Sequence, residues 1–108
     1  MEIKQKTINA NGVYLFMEEN GKEVAHAYLY ILNNLNDRPF GLMEDVYVAE
    51  SYRSKGLGTK LVHELIEVAK RHDCYKLVGY SRYERQRAHA LYERLGFKDW
   101  GKEFRMDM

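Results

Sequence analysis

The chain has 108 residues, 45% of them hydrophobic and 31% charged, a mix that suits one folded domain and excludes intrinsic disorder. Seventeen Lys and Arg against sixteen Asp and Glu leave a formal charge of +1. No global field therefore recruits nucleic acid or an acidic membrane, and any anion site must be local.

Ile3 to Ile8 is expected to form a short first strand. Gly12 to Met17 and Val24 to Leu32 are β-rich runs on either side of Asn20-Gly21, a pair that tolerates the positive φ of a hairpin turn. Asn33 to Gly41 holds Pro39, the single proline, and reads as a loop; Leu42 to Val48 reads as the next strand. From Gly56 the apolar period lengthens. Leu57, Leu61, Val62, Leu65, Val68 and Ala69 define one helical face, with Lys60, Glu64, Glu67, Lys70 and Arg71 mostly off it. Cys74 to Tyr80 returns to strand character. A shorter helix near Arg85 carries Ala88, Leu91, Tyr92 and Leu95 on one side, with Gly96 as its C-terminal cap. Phe97 to Met108 is expected to supply one or two closing strands around Gly101. This order predicts an α/β (α+β) domain, a mixed and mainly antiparallel sheet flanked by two helices.

The most informative stretch is Arg53-Ser54-Lys55-Gly56-Leu57-Gly58-Thr59, between a strand and a helix. The first turn of a helix presents unpaired N–H groups and a partial positive charge. Glycines let an oxyanion approach them, and Arg53 and Lys55 add side-chain charge. Strand, Gly-rich turn and helix N-terminus together read as a pyrophosphate site. The spacing is not that of a Walker loop, and Leu61 stands where a dinucleotide fingerprint needs its third glycine. From these residues alone, a basic loop whose glycines serve only the turn stays open beside the anion site.

Glu44-Asp45-Val46-Tyr47-Val48, then Arg53 to Gly58, then Leu91-Tyr92-Glu93-Arg94-Leu95-Gly96-Phe97 follow one another in an order that resembles the GNAT N-acetyltransferase superfamily. The family's loop is Arg/Gln-x-x-Gly-x-Gly/Ala, and its second landmark is a Leu-Tyr segment ending in Gly-Phe. The resemblance covers about Met43 to Phe97. It implies acetyl-coenzyme A as donor, with its pyrophosphate on the N–H groups of Ser54, Lys55, Gly56, Leu57, Gly58 and Thr59. It also implies a sheet splayed near Val46, Tyr47 and Val48, where pantetheine pairs with the strand like an added one. A bulge there would free the backbone groups such pairing needs.

Acetyl transfer to an alkyl amine faces a protonation problem: a lysine-like amine at neutral pH is about 3.4 units from its free base, about 4.6 kcal/mol of barrier. Glu44 is the candidate base. In an unbroken strand it shares a face with Leu42, Val46 and Val48, where desolvation would raise its proton affinity; a bulge that turns it outward, or pairing with an Arg, is the alternative. Asp45 falls on the opposite face as a structural acceptor. Related acetyltransferases of polyamines and of glucosamine phosphate carry a similar Glu-Asp pair. By the same resemblance the Tyr92 hydroxyl lies near the thioester sulfur, where a hydrogen bond to the leaving thiolate is its role; the alternative is a helical core tyrosine. Where many relatives carry a pantetheine-binding Asn, this chain has Arg85, which meets a phosphate or faces solvent with Arg82 and Arg87.

The family normally inserts two helices between its first two strands, and here only about Ala10 to Gly12 separates the expected pair. An open acceptor side fits a protein terminus or lysine, or a wall lent by a second subunit in a homodimer; a small-molecule amine remains the other class of acceptor. Cys74, the single cysteine, excludes an intrachain disulfide or a Cys-rich zinc cluster and reads as a small apolar residue. His26, His63, His72 and His89 lack zinc-ligand spacing and read as solvated or edge positions, so no metal is expected. No apolar run approaches the roughly 18 residues of a membrane span, and Met1 to Lys6 is unlike a signal peptide; a cytoplasmic address is expected. The basic residues from Arg82 to Arg94 alternate with glutamates and read as a solvated helix face. Acetyl transfer to a primary amine is the functional expectation, with a non-catalytic coenzyme A-binding module as its rival and a domain for another nucleotide as the third class.

Overall fold

Asn20 and Gly21 both adopt positive φ, 55° and 76°, the backbone of a tight turn whose twist matches its flanking strands. They join β1 (Asn11–Glu19) to β2 (Lys22–Leu32) in a computed structural model that describes residues 1–35 and 38–108. β2 pairs antiparallel with β3 (Phe40–Val48), and β3 pairs parallel with the short β4 (Leu77–Val78), giving the order β1-β2-β3-β4. The first two strands are thus linked with no helix between them. Positions 36 and 37 of the expected Asn33–Gly41 loop lie outside the described residues.

A parallel β3–β4 pair requires a crossover, and α1 (Leu57–Arg71) supplies it. Its apolar stripe was legible at helical period, and Leu61, Val62, Leu65, Val68 and Ala69 are buried as expected. They pack on Ala25, Ala27, Leu29 and Ile31 of β2 and Met43 of β3. Alternate residues of β2 therefore face the core, and those between them (His26, Tyr28, Tyr30) line the other face of the sheet. α2 (Gln86–Arg94) sets Leu91 and Tyr92 against the edge of the same core, followed by Leu95 just past its end.

The Leu-Tyr…Gly-Phe segment has a structural job at that point. Gly96 stands at φ 100°; its N–H donates to Glu93 O at 3.1 Å, and the Phe97 N–H donates to Tyr92 O at 2.9 Å. These two bonds close a Schellman cap, with the Tyr92 and Phe97 rings 5.6 Å apart as its apolar contact. The motif ends the helix and buttresses Tyr92 in one stroke.

Close packing of β3 under α1 depends on Gly41. A Cβ there would stand 2.9 Å from Leu77 Cδ1 and 3.0 Å from Leu29 Cδ1, in a region where Leu29 is fully buried. Gly41→Ala forces two core leucines to shift and is expected to cost about 1–3 kcal/mol, read as a lower denaturant midpoint with an unchanged slope.

Three expected strands are corrected. Ile3 to Ile8 forms none: Ile3 and Ile8 fall on opposite faces of an extended chain, with Lys4 to Thr7 between them, so no apolar face exists to bury. The narrow Ala10–Gly12 link is therefore not a strand-to-strand connection, and the expectation of an open acceptor side loses its footing. Cys74 to Tyr80 shortens to Leu77–Val78. Phe97 to Met108 supplies no closing strand; Trp100, Phe104 and Met106 are exposed, and β4 offers only a two-residue ladder to pair with.

Candidate functional site

β3 carries a bulge. Glu44 stands opposite Tyr28 and Tyr47 opposite His26, so Asp45 and Val46 together face the single residue Ala27. Asp45 takes φ 49°, left-handed backbone that Asp tolerates better than most residues. The extra residue resets the alternation. Met43 is buried in the core, and Val46 and Val48 return to it, while Glu44, Asp45 and Tyr47 all face away from α1. The expected face shared by Glu44, Val46 and Val48 is therefore corrected: the bulge turns the carboxylate to the aromatic face, next to Tyr28. Asp45 lies on that face too and not opposite Glu44.

Both carboxylates have partners there. The Tyr80 hydroxyl lies 2.7 and 2.9 Å from the two Glu44 oxygens. Asp45 Oδ2 is 3.0 Å from His26 Nε2, and His26 Nδ1 is 3.2 Å from Glu23. Glu23 in turn accepts from the Tyr14 hydroxyl at 2.6 Å, a bond that pushes the phenol up to about 12. The His26 ring stacks on Tyr47 at 5.3 Å, and its side chain is only 19% exposed. His26 is thus a clasp on the bulge instead of a solvated or edge histidine. Asp45 is the structural acceptor that was expected.

β3 and β4 are in register only at Gly41–Leu77 and Leu42–Val78. Past Leu42 the two strands part. The Ala49 N–H is used by Val24 O on β2, so strand alternation turns the backbone groups of Val48 to the open edge. One of them is taken: Arg53 Nε donates to Val48 O at 2.8 Å, and its guanidinium lies 5.6 Å from the Tyr47 ring. Arg53 therefore braces the strand end through Nε and stays exposed beside the loop. On the β4 side, the Ser81 hydroxyl is buried with no partner among the described residues.

The loop joining β3 to α1 begins with a 3₁₀ turn at Glu50–Tyr52. Ser54 at φ 64° and Gly56 at φ 81° then wind the chain through two left-handed positions into the helix. No side chain caps α1, and the first N–H to find a helical acceptor is that of Lys60, on Gly56 O at 3.1 Å. The N–H groups from Ser54 to Thr59 have no acceptor among the described residues. A Cβ on Gly58 would touch Leu91 Cδ2 at 3.6 Å and Val48 Cγ2 at 3.9 Å, so this glycine brings α1, α2 and β3 together.

Two arginines from α2 reach the loop. Arg87 donates to Ser54 Oγ and Arg94 to Thr59 Oγ1, each at 3.3 Å. Both were read as part of a solvated face. The missed signal was their spacing, since seven positions are about two helical turns and put both on one side. Arg85, by contrast, stands at the N-cap of α2 and acts on Tyr92. Burial pushes the Tyr92 phenol up, and the nearby Arg85 charge pulls it back in part. The Tyr92 hydroxyl bonds to no other described residue. Lys55 leans over the Tyr52 ring at 5.4 Å.

Tyr92 packs from the core side of the sheet, and Glu44 lies on the opposite face. The two candidate catalytic residues thus lie on opposite sides of the sheet. The Cys74 thiol is pushed up by burial, as suits an inert apolar residue. No cluster of three or more His, Cys, Asp or Glu with metal-site geometry occurs among the described residues. No helix among them is long and apolar enough to cross a membrane.

Known proteins resemble this chain in sequence and fold. Glucosamine 6-phosphate N-acetyltransferase of Trypanosoma brucei brucei is 37% identical over 71 residues, 66% of this chain and 46% of that protein. The Candida albicans enzyme of the same name is 35% identical over 92 residues, 83% of this chain and 60% of its own. The chain thus spans about half to three-fifths of the length of these relatives. A solved putative acetyltransferase from Agrobacterium tumefaciens superposes with a TM-score of 0.82 at 33% identity, covering 90% of this chain and 69% of that one. Its likeness extends to the mixed α+β sheet with two helices. The model of the acetyltransferase (GNAT) family matches residues 2–97, and the chain belongs to that family.

Proposed function

We propose that this protein transfers an acetyl group from acetyl-coenzyme A to a primary amine on a small molecule. The observation that carries this reading is the run of unpartnered N–H groups from Ser54 to Thr59, backed by Arg87 and Arg94. The residues suit the donor: Gly56 has no side chain in the open space beside the loop N–H groups, and the orphaned Ser81 hydroxyl is available to a pantetheine amide. The named activity of the two relatives supports an amino sugar or similar amine as acceptor, and a cytoplasmic site of action is part of the proposal.

When bound, acetyl-coenzyme A supplies the activated acetyl group. The loop N–H groups hold the diphosphate, and the open edge at Val46 and Val48 aligns the pantetheine arm. Glu44 takes the proton that the amine must lose as its C–N bond forms, directly or through water. The Tyr92 hydroxyl donates to the sulfur as the C–S bond breaks. Arg85 lies beside Tyr92 and helps to hold the negative charge that gathers there.

Calorimetric titration with coenzyme A, followed by thiol release from acetyl-coenzyme A in the presence of an amine panel, tests the reading. Binding with turnover on small amines is the expected result. Binding without turnover on any amine or peptide would favour a coenzyme A-binding module, and preference for ATP or NAD would overturn the donor assignment. Arg87→Ala is expected to weaken coenzyme A binding about three- to tenfold at low salt, an effect that shrinks as salt rises.

A further inference from the structure

Past Leu42 the parted strands β3 and β4 have one side-chain link near their fork, the hydroxyl of Tyr80 on both oxygens of Glu44. We infer that Tyr80 is a positioning residue that aims the Glu44 carboxylate at the acceptor amine. The inference deepens the proposed acetyl transfer and rests on Glu44 acting as its base.

The bulge at Asp45 is what makes such a residue necessary. By turning Glu44 out of the core face, it leaves a long flexible side chain half-exposed, with Tyr28 as its cross-strand neighbour. A base must hold a lone pair toward the proton it takes, and a freely rotating carboxylate does so only part of the time. Tyr80 removes that freedom from the β4 side. Its own place is fixed by close approach at Gly79, where a Cβ would run into the Met43 side chain. The single hydroxyl hydrogen occupies one lone pair of the carboxylate and leaves the others for substrate. The bond to Glu44 raises the Tyr80 phenol.

The groups that bear on this pair are few. Tyr28 flanks Glu44 from β2, and Asp45, its chain neighbour, is engaged by His26. Around Tyr80, burial and the Glu103 charge act in the same direction as Glu44, and the Arg105 charge opposes them. None of these donates a hydrogen bond to Glu44 in place of the Tyr80 hydroxyl.

The experiment compares wild type with Tyr80→Phe, Glu44→Gln and the double variant, with coenzyme A affinity and melting temperature as controls for folding. Carbon-13 NMR of the Tyr80 ring, read without substrate, is expected to show its phenol titrating lower in Glu44→Gln than in wild type. In Tyr80→Phe, turnover is expected to fall about three- to tenfold with coenzyme A affinity unchanged. In the Glu44→Gln background, Tyr80→Phe is expected to cost nothing further. An unmoved Tyr80 midpoint, or a Tyr80→Phe loss that adds in full to that of Glu44→Gln, overturns the inference. Full turnover in Glu44→Gln overturns it differently, by removing Glu44 as base. Failure to bind coenzyme A speaks against the donor assignment alone, because the Tyr80 midpoint reads the Tyr80–Glu44 pair without any ligand.

Discussion

Gly56→Val is expected to weaken coenzyme A binding about ten- to a hundredfold while leaving the protein folded. Nothing lies within 4 Å of a Cβ built on Gly56, so the substitution meets no clash inside the protein. Its cost comes from the backbone. Gly56 holds φ 81°, a region that costs an ordinary L-residue about 1–2 kcal/mol and a β-branched one more. The strain relaxes by rotating the loop away from its left-handed turn, which is the turn that lines up the N–H groups from Ser54 to Thr59. The side chain also enters the open space that a diphosphate would occupy. Losing one charge-assisted hydrogen bond, worth about 1.5–3 kcal/mol in a well-formed site, accounts for the expected range. Gly56→Ala serves as the graded control, with less bulk at the same φ. Titration calorimetry reads the affinity and a thermal melt reads the fold. Equal affinities for wild type and valine variant would mean that the diphosphate sits elsewhere.

Most of this donor half could be read from residue order alone. The apolar stripe from Leu57 to Ala69 has one period, and that period fits only a helix; the glycines before it need a turn at that place. The hairpin was equally plain, because Asn20-Gly21 has a local conformational reason to turn. The acceptor half was not plain, and the bulge explains why. Period-two reasoning assigns every residue of Leu42 to Val48 to a face, and one inserted residue reverses every assignment beyond it. No residue in Glu44-Asp45-Val46 announces the insertion: Asp at positive φ is tolerated, not required, and what holds it is a histidine nineteen positions earlier in sequence. The Tyr80–Glu44 pair spans 36 positions and the Arg87–Ser54 pair 33, and neither has a local pattern. At the chain ends, Trp100 and Phe104 looked like strand residues because aromatic content favours strands, but a strand also needs a ladder to join.

The bulge also links structure to chemistry. Under the proposed mechanism, with Glu44 and Tyr92 on opposite faces of the sheet, proton removal from the amine and hydrogen bonding to the sulfur would occur on different sides of it. An acyl group held where β3 and β4 part is open to both. Such an arrangement lets each group act on its own reacting atom. It further predicts that their removal affects different quantities: Glu44 governs how turnover depends on the amine, and Tyr92 governs how it depends on the leaving thiol.

Tyr92→Phe is accordingly expected to lower kcat about ten- to a hundredfold with little change in coenzyme A affinity. An unperturbed tyrosine near 10 is already a weaker acid than a thiol near 8.5, so full proton transfer to a thiolate is uphill by about 2 kcal/mol. Burial raises the Tyr92 phenol further, and the Arg85 charge offsets this only in part. The hydroxyl therefore acts by donating a strong hydrogen bond to the sulfur as charge builds, worth about 1.5–3 kcal/mol, and the expected loss is that bond. The pH dependence follows in sign. Because the folded phenol titrates above 10, Tyr92 keeps its proton throughout the neutral and mildly basic range and imposes no basic limb there. Stability behaves in parallel: the raised folded value contributes stability that is fully present below the unfolded value of about 10 and is lost as pH rises through the folded one. Wild type should then lose stability above pH 10 more steeply than Tyr92→Phe, a difference that urea titrations at pH 8 and 11 would reveal. A leaving group of lower basicity than coenzyme A needs the hydrogen bond less, so an acetyl donor built on a more acidic thiol should narrow the gap between variant and wild type. A gap that stays constant across donors, or a loss of coenzyme A affinity that matches the loss of kcat, would reduce Tyr92 to a packing residue under the Phe97 ring.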